Sequence, residues 1–301
     1  MTHLLPLLRR EWLQHRFAWA VMALLPTTLV LLLMSFGEVQ IGPEDDRAQL
    51  PVAMALAAIG GGMGLHLLML WIVAMIIVSG FARRDHGDRS IEFWLSLPTG
   101  NAESLAVPLF VHLLLVPIVA LAVGLLGGLL ASFVLVSRVA GSGAWLALPW
   151  TELIAGALAI FARLSVGVVL ATLWLSPVIL LTALMTAWFR RWGLVIVSLG
   201  LGVGTRVLAK VFGIHAPADA LASLFINAGR SVARTSDGGL TINSAVDIAG
   251  AVGQIPQWAL HDTGQALRLL ASPLLVGGLL VAAGCFALLV QWRQRGADAG
   301  N

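Results

Sequence analysis

Ionisable side chains that could act in an apolar environment are few in this sequence. His66 and His112 lie deep in long apolar runs, with no acidic residue beside them in the sequence. An ionisable residue at such depth in a membrane marks a substrate path or proton relay by default. A lone histidine in each of two helices more often forms a hydrogen bond between helices. We therefore treat His66, His112 and the deep-lying Trp174 as candidate pathway residues, with helix packing as the alternative for each.

Sequence motifs of common enzymes are missing. The chain contains neither HExxH nor GxSxG, and no pair of carboxylates falls within its apolar runs. It also lacks the GxxxxGK[ST] loop that cradles nucleotide phosphates, so it cannot bind ATP in that way. A single cysteine, Cys285, excludes a disulfide framework, and we expect no zinc site. The sequence predicts a protein without catalytic residues, metal or cofactor of its own.

The densest charge cluster is the segment FARRDHGDRSIEFWLSLPTG, residues 81–100, between two apolar runs. Asp88 is a suitable N-cap, and the residues after it have helical periodicity. Arg89 and Glu92 fall on one face, Ile91 and Trp94 on the other. The pattern predicts a short amphipathic helix beside the membrane. It either lies at the headgroups, with Trp94 at the interface, or docks into a groove of a soluble partner.

Long apolar runs position these residues. The chain of 301 residues is 59% hydrophobic and 11% charged, with a mean hydropathy of +0.93. A bilayer crossing needs about 20 apolar residues. We predict an all-α polytopic membrane protein, one transmembrane domain over residues 1–301, with six spans: 17–36, 51–81, 105–136, 164–187, 193–212 and 269–291. The third is longer than one crossing needs and carries Pro108 and Pro117, so we expect it to be tilted, kinked or extended. An interfacial helix is expected over 150–163.

Arginine placement orients the spans. Ten arginines fall in segments that lie on the side of the N-terminus, and six fall in the longer segments on the other side. The first set comprises 1–16, 82–104, 188–192 and 292–301, and the second comprises 37–50, 137–163 and 213–268. The positive-inside rule therefore predicts that both termini are cytoplasmic. The pI near 10.3 reflects this placement and does not predict nucleic-acid binding.

Two further patterns concern packing. Small residues recur at helical spacing as Gly60-x-x-x-Gly64, Gly124-x-x-x-Gly128 and Gly200-x-x-x-Gly204, which lets neighbouring helices approach closely. The segment 213–268 is the largest one outside the spans. Its periodicity predicts two amphipathic helices on the extracytoplasmic surface, or packed there as a cap.

Three stretches resemble one family. DRSIEFWLSLP resembles the first cytoplasmic loop of type 2 ABC exporter permeases, which typically read close to DRSI-x-FW-x-SLP. The N-terminal LLRREWLQHRFAW is similar to the amphipathic elbow helix of the same permeases. SPVILLTALMTAWFRRW resembles their fourth span and its basic cytoplasmic exit.

The resemblance implies a working arrangement. Residues 88–97 would form the coupling helix, seated in a cleft of a separate ATPase subunit that carries ATP and Mg. The contacting residues would be Asp88, Arg89, Ser90, Ile91, Glu92, Phe93, Trp94 and Leu97. The elbow, about 4–16, would lie along the inner leaflet and present Arg9, Arg10, Glu11, Trp12 and Arg16. Leu13 and Gln14 depart from the more charged residues common in the family, which leaves the elbow's ATPase contacts open.

The same resemblance implies the partners and the location. Two ATPase copies and a second permease, identical or different, would complete an exporter in the lipid of a bacterial inner membrane. Because the spans offer no acidic residue at depth, an apolar or amphipathic cargo is expected: a peptide, a lipid or a drug. The alternatives are a membrane-embedded lipid-modifying enzyme and a regulatory membrane protein without transport.

Overall fold

The computed structural model describes residues 4–36, 49–87, 100–233 and 250–298, and these residues contain no β-strand. The predicted all-α class is confirmed. The α-helices are α1 Leu4–Phe36, α2 Leu50–Gly87, α3 Asn101–Phe110, α4 Val116–Ala140, α5 Ser142–Leu146, α6 Trp150–Phe189, α7 Gly193–Leu199, α8 Thr205–Phe212, α9 Ala216–Val232, α10 Ile255–Arg268 and α11 Pro273–Asp298. Turns of π-helix, Val111–Leu115 and Gly200–Gly204, join α3 to α4 and α7 to α8.

Among the described residues, 5 helical stretches are long and apolar enough to cross a membrane. They are Leu5–Met34, Leu50–Val78, Asn101–Ala140, Trp150–Phe212 and Pro273–Gln294. The fourth stretch has 63 residues and covers the fourth and fifth predicted spans. The chain is therefore an all-α membrane protein.

The fourth stretch reverses direction about two thirds of the way along its length. Arg190 has a positive φ of 54°, and a 3₁₀ turn, Arg190–Trp192, follows α6. A Cβ on Gly193 would lie 2.4 Å from the Cα of Thr186, so α7 starts directly against the end of α6. Only a glycine permits this approach, because any side chain would meet the backbone of α6.

Two predicted helix boundaries are wrong. α1 runs without interruption through residue 16, so the elbow and the first span form a single helix of 33 residues, about 50 Å long. α6 likewise joins the predicted interfacial helix 150–163 to the span that follows. Neither glycine nor proline falls at either boundary, and nothing else in the local sequence interrupts the backbone hydrogen bonds.

Side-chain clusters give the helix directions. Leu7 of α1 packs with Val107 and Val111, and Thr27 lies against Gly127, so α1 runs parallel to the stretch Asn101–Ala140. α2 runs antiparallel to that stretch, because Met54 packs near Val136 whereas Val78 packs near Leu113.

The helix ends next to the chain segments that the arginines assign to the inside meet at one end of the bundle. Phe81, Leu105, Ala187 and Leu289 share one cluster there. This cluster lies next to the end of α2, the start of α3, the turn after α6 and the last turns of α11. The N-terminal part of α1 lies at the same end, through Leu7.

α9 and α10 belong to the segment 213–268, and both pack against α6. Leu224 of α9 packs in the cluster of Trp174 and Leu275, at the depth of the predicted fourth span. α10 runs along the first half of α6, with Ile255 beside Leu153. Both helices therefore bury one face against α6, and the extracytoplasmic position of the segment stays a prediction.

Glycine packing is confirmed for one of the three predicted motifs. A Cβ on Gly124 would lie 2.6 Å from the carbonyl oxygen of Gly62, and one on Gly128 would lie 2.6 Å from the Cα of Ile59. Gly62 is the contacting residue on α2, whereas a Cβ on Gly60 or Gly64 would meet no atom within 4 Å. The same openness applies to Gly200, in the motif between α7 and α8. α2 and α4 therefore form a close antiparallel pair.

Candidate functional site

A buried polar cluster joins α1 to the π-turn between α3 and α4. The turn has a local cause: Pro117 has no backbone N–H to donate to the carbonyl of Leu113, four residues earlier. The chain closes a wider turn instead, with the N–H of Val116 donating to Val111. Thr172 of α6 donates its hydroxyl to the freed carbonyl of Leu113, at 3.3 Å. Such π-turns occur frequently at functional sites, and this one carries His112.

His112 faces a carboxylate, contrary to the expectation that no acid lies beside it. Its Nε2 is 3.2 Å from Oε2 of Glu11, and both side chains are 1% exposed. Nε2 of His15, one turn along α1, is 3.8 Å from the same oxygen, and His15 is 19% exposed. We refer to Glu11, His15 and His112 as the Glu–His cluster.

Aromatic rings enclose the Glu–His cluster. The imidazoles of His15 and His112 meet edge to face, with centroids 5.0 Å apart. The indole of Trp19 stacks on His15 at 5.8 Å and lies edge-on to His112 at 5.7 Å. Trp19 also lines an apolar groove of about 300 Å³ between α1 and the start of α4, whose lining includes Trp12 and Arg16. The cluster is therefore in a low-dielectric environment next to the groove.

The donor atoms of the Glu–His cluster, one from each residue, lie within 4.8 Å of one another. This arrangement can share a proton between carboxylate and imidazole, or hold one cation in contact with all three residues. Zinc binds carboxylate and imidazole groups as well as cysteine thiolates. The single cysteine is therefore no ground for excluding a metal site.

The predicted elbow residues divide into two groups. Arg10 and Glu11 are buried against the neighbouring helices, at 6% and 1% exposure. Arg9, Trp12 and Arg16 are exposed, and the guanidinium of Arg16 lies over the ring of Phe17 at 4.8 Å. The elbow is thus held to α3 and α4 along one face and leaves the other face open.

His66 forms hydrogen bonds between helices, which was the alternative to a pathway role for this residue. Its Nε2 is 2.9 Å from the carbonyl oxygen of Ala23 and 3.3 Å from the hydroxyl of Thr27, both on α1. Its Nδ1 is 2.8 Å from the carbonyl oxygen of Gly62. His66 fastens α1 to α2 about three turns of α1 away from the Glu–His cluster.

Trp174 lies in a different part of the bundle from the contacts of His66 and His112. Its side chain is fully buried at 0% exposure in an apolar cluster with Leu113 and Leu224. Its indole N–H has no hydrogen-bond partner within the described ranges. The three candidate pathway residues are therefore not brought together, and Trp174 packs as a core residue.

The predicted coupling residues Asp88, Arg89, Ser90, Ile91, Glu92, Phe93, Trp94 and Leu97 lie outside the described residues. The structure describes the flanking ends of α2 and α3 but not the segment itself.

Sequence reasoning missed a second buried cluster. Arg163 of α6 donates Nε–H to Oδ2 of Asp262 on α10 at 2.7 Å, and its Nη2 is also 2.7 Å from that oxygen. Its Nη1 donates to the carbonyl of Ser231 on α9 at 2.6 Å. Arg163 and Asp262 are 2% and 0% exposed. We refer to these three residues as the arginine cluster.

Signals for both clusters were present in the sequence. Glu11 and His15 are four residues apart, the spacing that puts two side chains on one helix face. Asp262 falls in the apolar stripe of α10, with Ile255, Ala259 and Ala266, all of them buried. A charge inside an apolar stripe indicates a buried partner.

Comparisons of this chain with protein families, with curated proteins and with solved structures find no match.

Proposed function

We propose that the chain is the transmembrane permease subunit of an ATP-driven ABC exporter of the type 2 family. The observation that carries the proposal is the stretch DRSIEFWLSLP, which resembles the family's coupling loop and lies between two long apolar helices. On this proposal the reversal after α6 makes the fourth and fifth spans separate crossings, giving six.

The geometry of the bundle supports the proposal. The ends of α2 and α3 that flank residues 88–99 lie at the same end as the N-terminal part of α1. An ATPase docked on the loop would therefore also reach the elbow. We assign this end to the cytoplasm of a bacterial inner membrane because the arginine-rich segments converge there.

The proposed mechanism is mechanical. ATP binding and hydrolysis take place on two copies of a partner ATPase, since this chain has no phosphate-binding loop. Closure of the partner moves the coupling segment, and the close pair of α2 and α4 transmits the movement, because backbones in direct contact at Gly62 and Gly128 cannot slide independently. The transporter alternates between inward-open and outward-open states, each favoured by a different nucleotide state.

The exposed apolar faces fit a second permease, the same or different, and membrane lipid. α1 is the least covered of the candidate spans, with 6% of its most apolar window buried. The groove beside Trp19 is almost entirely apolar. We propose an apolar or amphipathic cargo, a peptide, lipid or drug.

The proposal is tested by purifying the chain from its host in mild detergent. A nucleotide hydrolase should accompany it, and Trp94→Ala and Glu92→Ala should reduce that association or the coupled ATPase activity by at least tenfold. Trp192→Ala is a matched control, because Trp192 is 58% exposed at the same end of the bundle. Purification without a hydrolase, or equal effects of Trp94→Ala and Trp192→Ala, contradicts the proposal.

A lipid-modifying enzyme is the second candidate, and the Glu–His cluster favours it. A buried carboxylate within 3.2 Å of an imidazole beside an apolar groove has the composition of an acid–base pair. Lipid turnover measured without nucleotide distinguishes the two candidates. If the chain is an enzyme, the wild type turns over a lipid substrate and Glu11→Gln does not. If it is a permease, neither protein shows this turnover.

A further inference from the structure

We propose that Glu11, His15 and His112 form a binding site for one divalent transition-metal ion, with zinc the best fit. The inference concerns binding to this chain alone and does not depend on the proposed transport function.

Two of the distances between donor atoms are close to those around a tetrahedral ion. Zinc binds imidazole nitrogen and carboxylate oxygen at about 2.0–2.2 Å. Two ligands at that distance and at the tetrahedral angle are about 3.3–3.6 Å apart. The Glu11 oxygen lies 3.2 Å from the nitrogen of His112 and 3.8 Å from that of His15. All three donor atoms lie within 4.8 Å of one another, so rotation of the side chains about their χ angles would bring them to one ion.

The donor set selects the class of metal. Two imidazoles and one carboxylate suit zinc and its first-row neighbours, whereas magnesium and calcium prefer oxygen ligands alone. Zinc sites with three protein ligands keep a fourth position for water or another molecule. Here His15 is the only partly exposed member of the three, so the fourth position would face its side.

The placement of the ligands predicts what the ion does. Glu11 and His15 come from one turn of α1, and His112 comes from the π-turn before α4. The site is complete only when α1 is docked on α3 and α4. A bound ion stabilises the docked arrangement, because it binds that state and not the separated one. The metal would therefore clamp the N-terminal part of α1, the same segment that the proposed permease places near its ATPase.

The burial and the fixed orientation of the ligands favour a preorganised binding site over a chance contact. Both Glu11 and His112 are 1% exposed, so their polar atoms are withdrawn from water. Trp19 contacts both imidazoles and restricts their rotation. Restricting the ligands before binding reduces the entropy lost on metal binding.

The test uses the full-length chain in detergent, carrying an affinity tag without histidine and stripped of metal with a chelator. Zinc is titrated with bound metal counted by elemental analysis, and Co²⁺ is added separately as a spectroscopic probe. We expect one zinc per chain and the visible absorption of tetrahedral Co²⁺. Glu11→Gln, His15→Gln and His112→Gln should each weaken zinc binding at least tenfold.

His261→Gln is the control, since His261 is an exposed histidine on α10, a helix that supplies no ligand to the cluster. It should leave zinc affinity unchanged. Absence of stoichiometric zinc, or equal binding by His261→Gln and the three cluster variants, overturns the proposal and leaves a proton-sharing Glu–His pair. If the Glu11 and His112 variants fail to fold, His15→Gln alone tests zinc binding. This variant removes the partly exposed ligand and leaves the buried pair intact.

Discussion

The two buried polar clusters use opposite chemistry in different parts of the bundle. In the arginine cluster, Arg163 makes three contacts of 2.6–2.7 Å with partners on α9 and α10. In the Glu–His cluster, one carboxylate oxygen meets two imidazoles at 3.2 and 3.8 Å. The contacts of the first cluster are short and join α6 to α9 and α10. The second is looser and includes a partly exposed member.

The two clusters therefore tolerate substitution differently. A guanidinium is charged at every physiological pH, so a buried Arg163 needs its partners permanently. An imidazole is neutral or charged according to its surroundings and can also bind a metal. We infer that the arginine cluster fixes α9 and α10 against α6, whereas the Glu–His cluster is suited to a function that switches.

The first prediction tests how far the buried guanidinium of Arg163 depends on its carboxylate partner. Asp262→Asn leaves the buried Arg163 without its counter-charge, which should lower the free energy of unfolding by about 3–5 kcal/mol. Thermal unfolding of the purified protein in detergent measures the loss. Asp219→Asn is the matched control, because Asp219 is exposed on α9, and it should change stability by less than about 0.5 kcal/mol.

A double variant sharpens that result. Arg163→Met with Asp262→Leu removes both charges and should recover much of the lost stability, since an apolar pair of similar volume can replace a buried ion pair. If Asp262→Asn is as stable as the wild type, Arg163 does not depend on this carboxylate, and the contrast between the clusters fails.

The second prediction tests the packing of the arginine cluster. A Cβ on Gly167 would lie 2.5 Å from the carbonyl oxygen of Ser231 and 3.1 Å from Nη1 of Arg163. Gly167→Ala should therefore separate α6 from α9 and lower stability by about 1–3 kcal/mol. Gly229→Ala, with no atom within 4 Å of its Cβ, is the control. It should be neutral or slightly stabilising, because alanine favours the helix. Equal melting temperatures for the two variants contradict this packing.

The sequence predicted what composition and periodicity determine. Long apolar runs gave the helices of α1, α2, α4, α6 and α11, and arginine placement grouped the segments that meet at one end. Pro117 marked the third span as irregular. These features depend on local sequence, or on a charge count that applies to any helical membrane protein.

The clusters depend on distant pairs, which no local pattern specifies. Glu11 and His112 are 101 positions apart, and their contact requires the rotation of α1 about its axis. Asp262 falls in the segment predicted to be extracytoplasmic, where a carboxylate is expected to be hydrated; the packing of α10 against α6 buries it. The helix boundary near residue 16 was wrong because charge alone does not end a helix.

The third prediction concerns the buried half of the Glu–His cluster. His112→Gln keeps a polar group of similar reach, and Glu11 keeps His15 as a neighbour. We expect a loss of about 1.5–3 kcal/mol in the free energy of unfolding, the scale of one hydrogen bond to a charged group. Thermal unfolding without added metal measures it. A loss as large as that of Asp262→Asn would show that this cluster too is a permanent fastening.

The smallest expected effect falls on His15. Its nitrogen is 3.8 Å from the carboxylate, beyond hydrogen-bond distance, and the side chain is partly exposed. His15→Gln without metal should therefore change stability by no more than about 0.5 kcal/mol. The same variant should lose at least tenfold in zinc affinity, and zinc should raise its melting temperature less than that of the wild type. A side chain that contributes little to the fold but strongly to metal binding acts as a ligand. Proportional losses in both measurements would instead make His15 an ordinary packing residue, and the two clusters would then differ in strength alone.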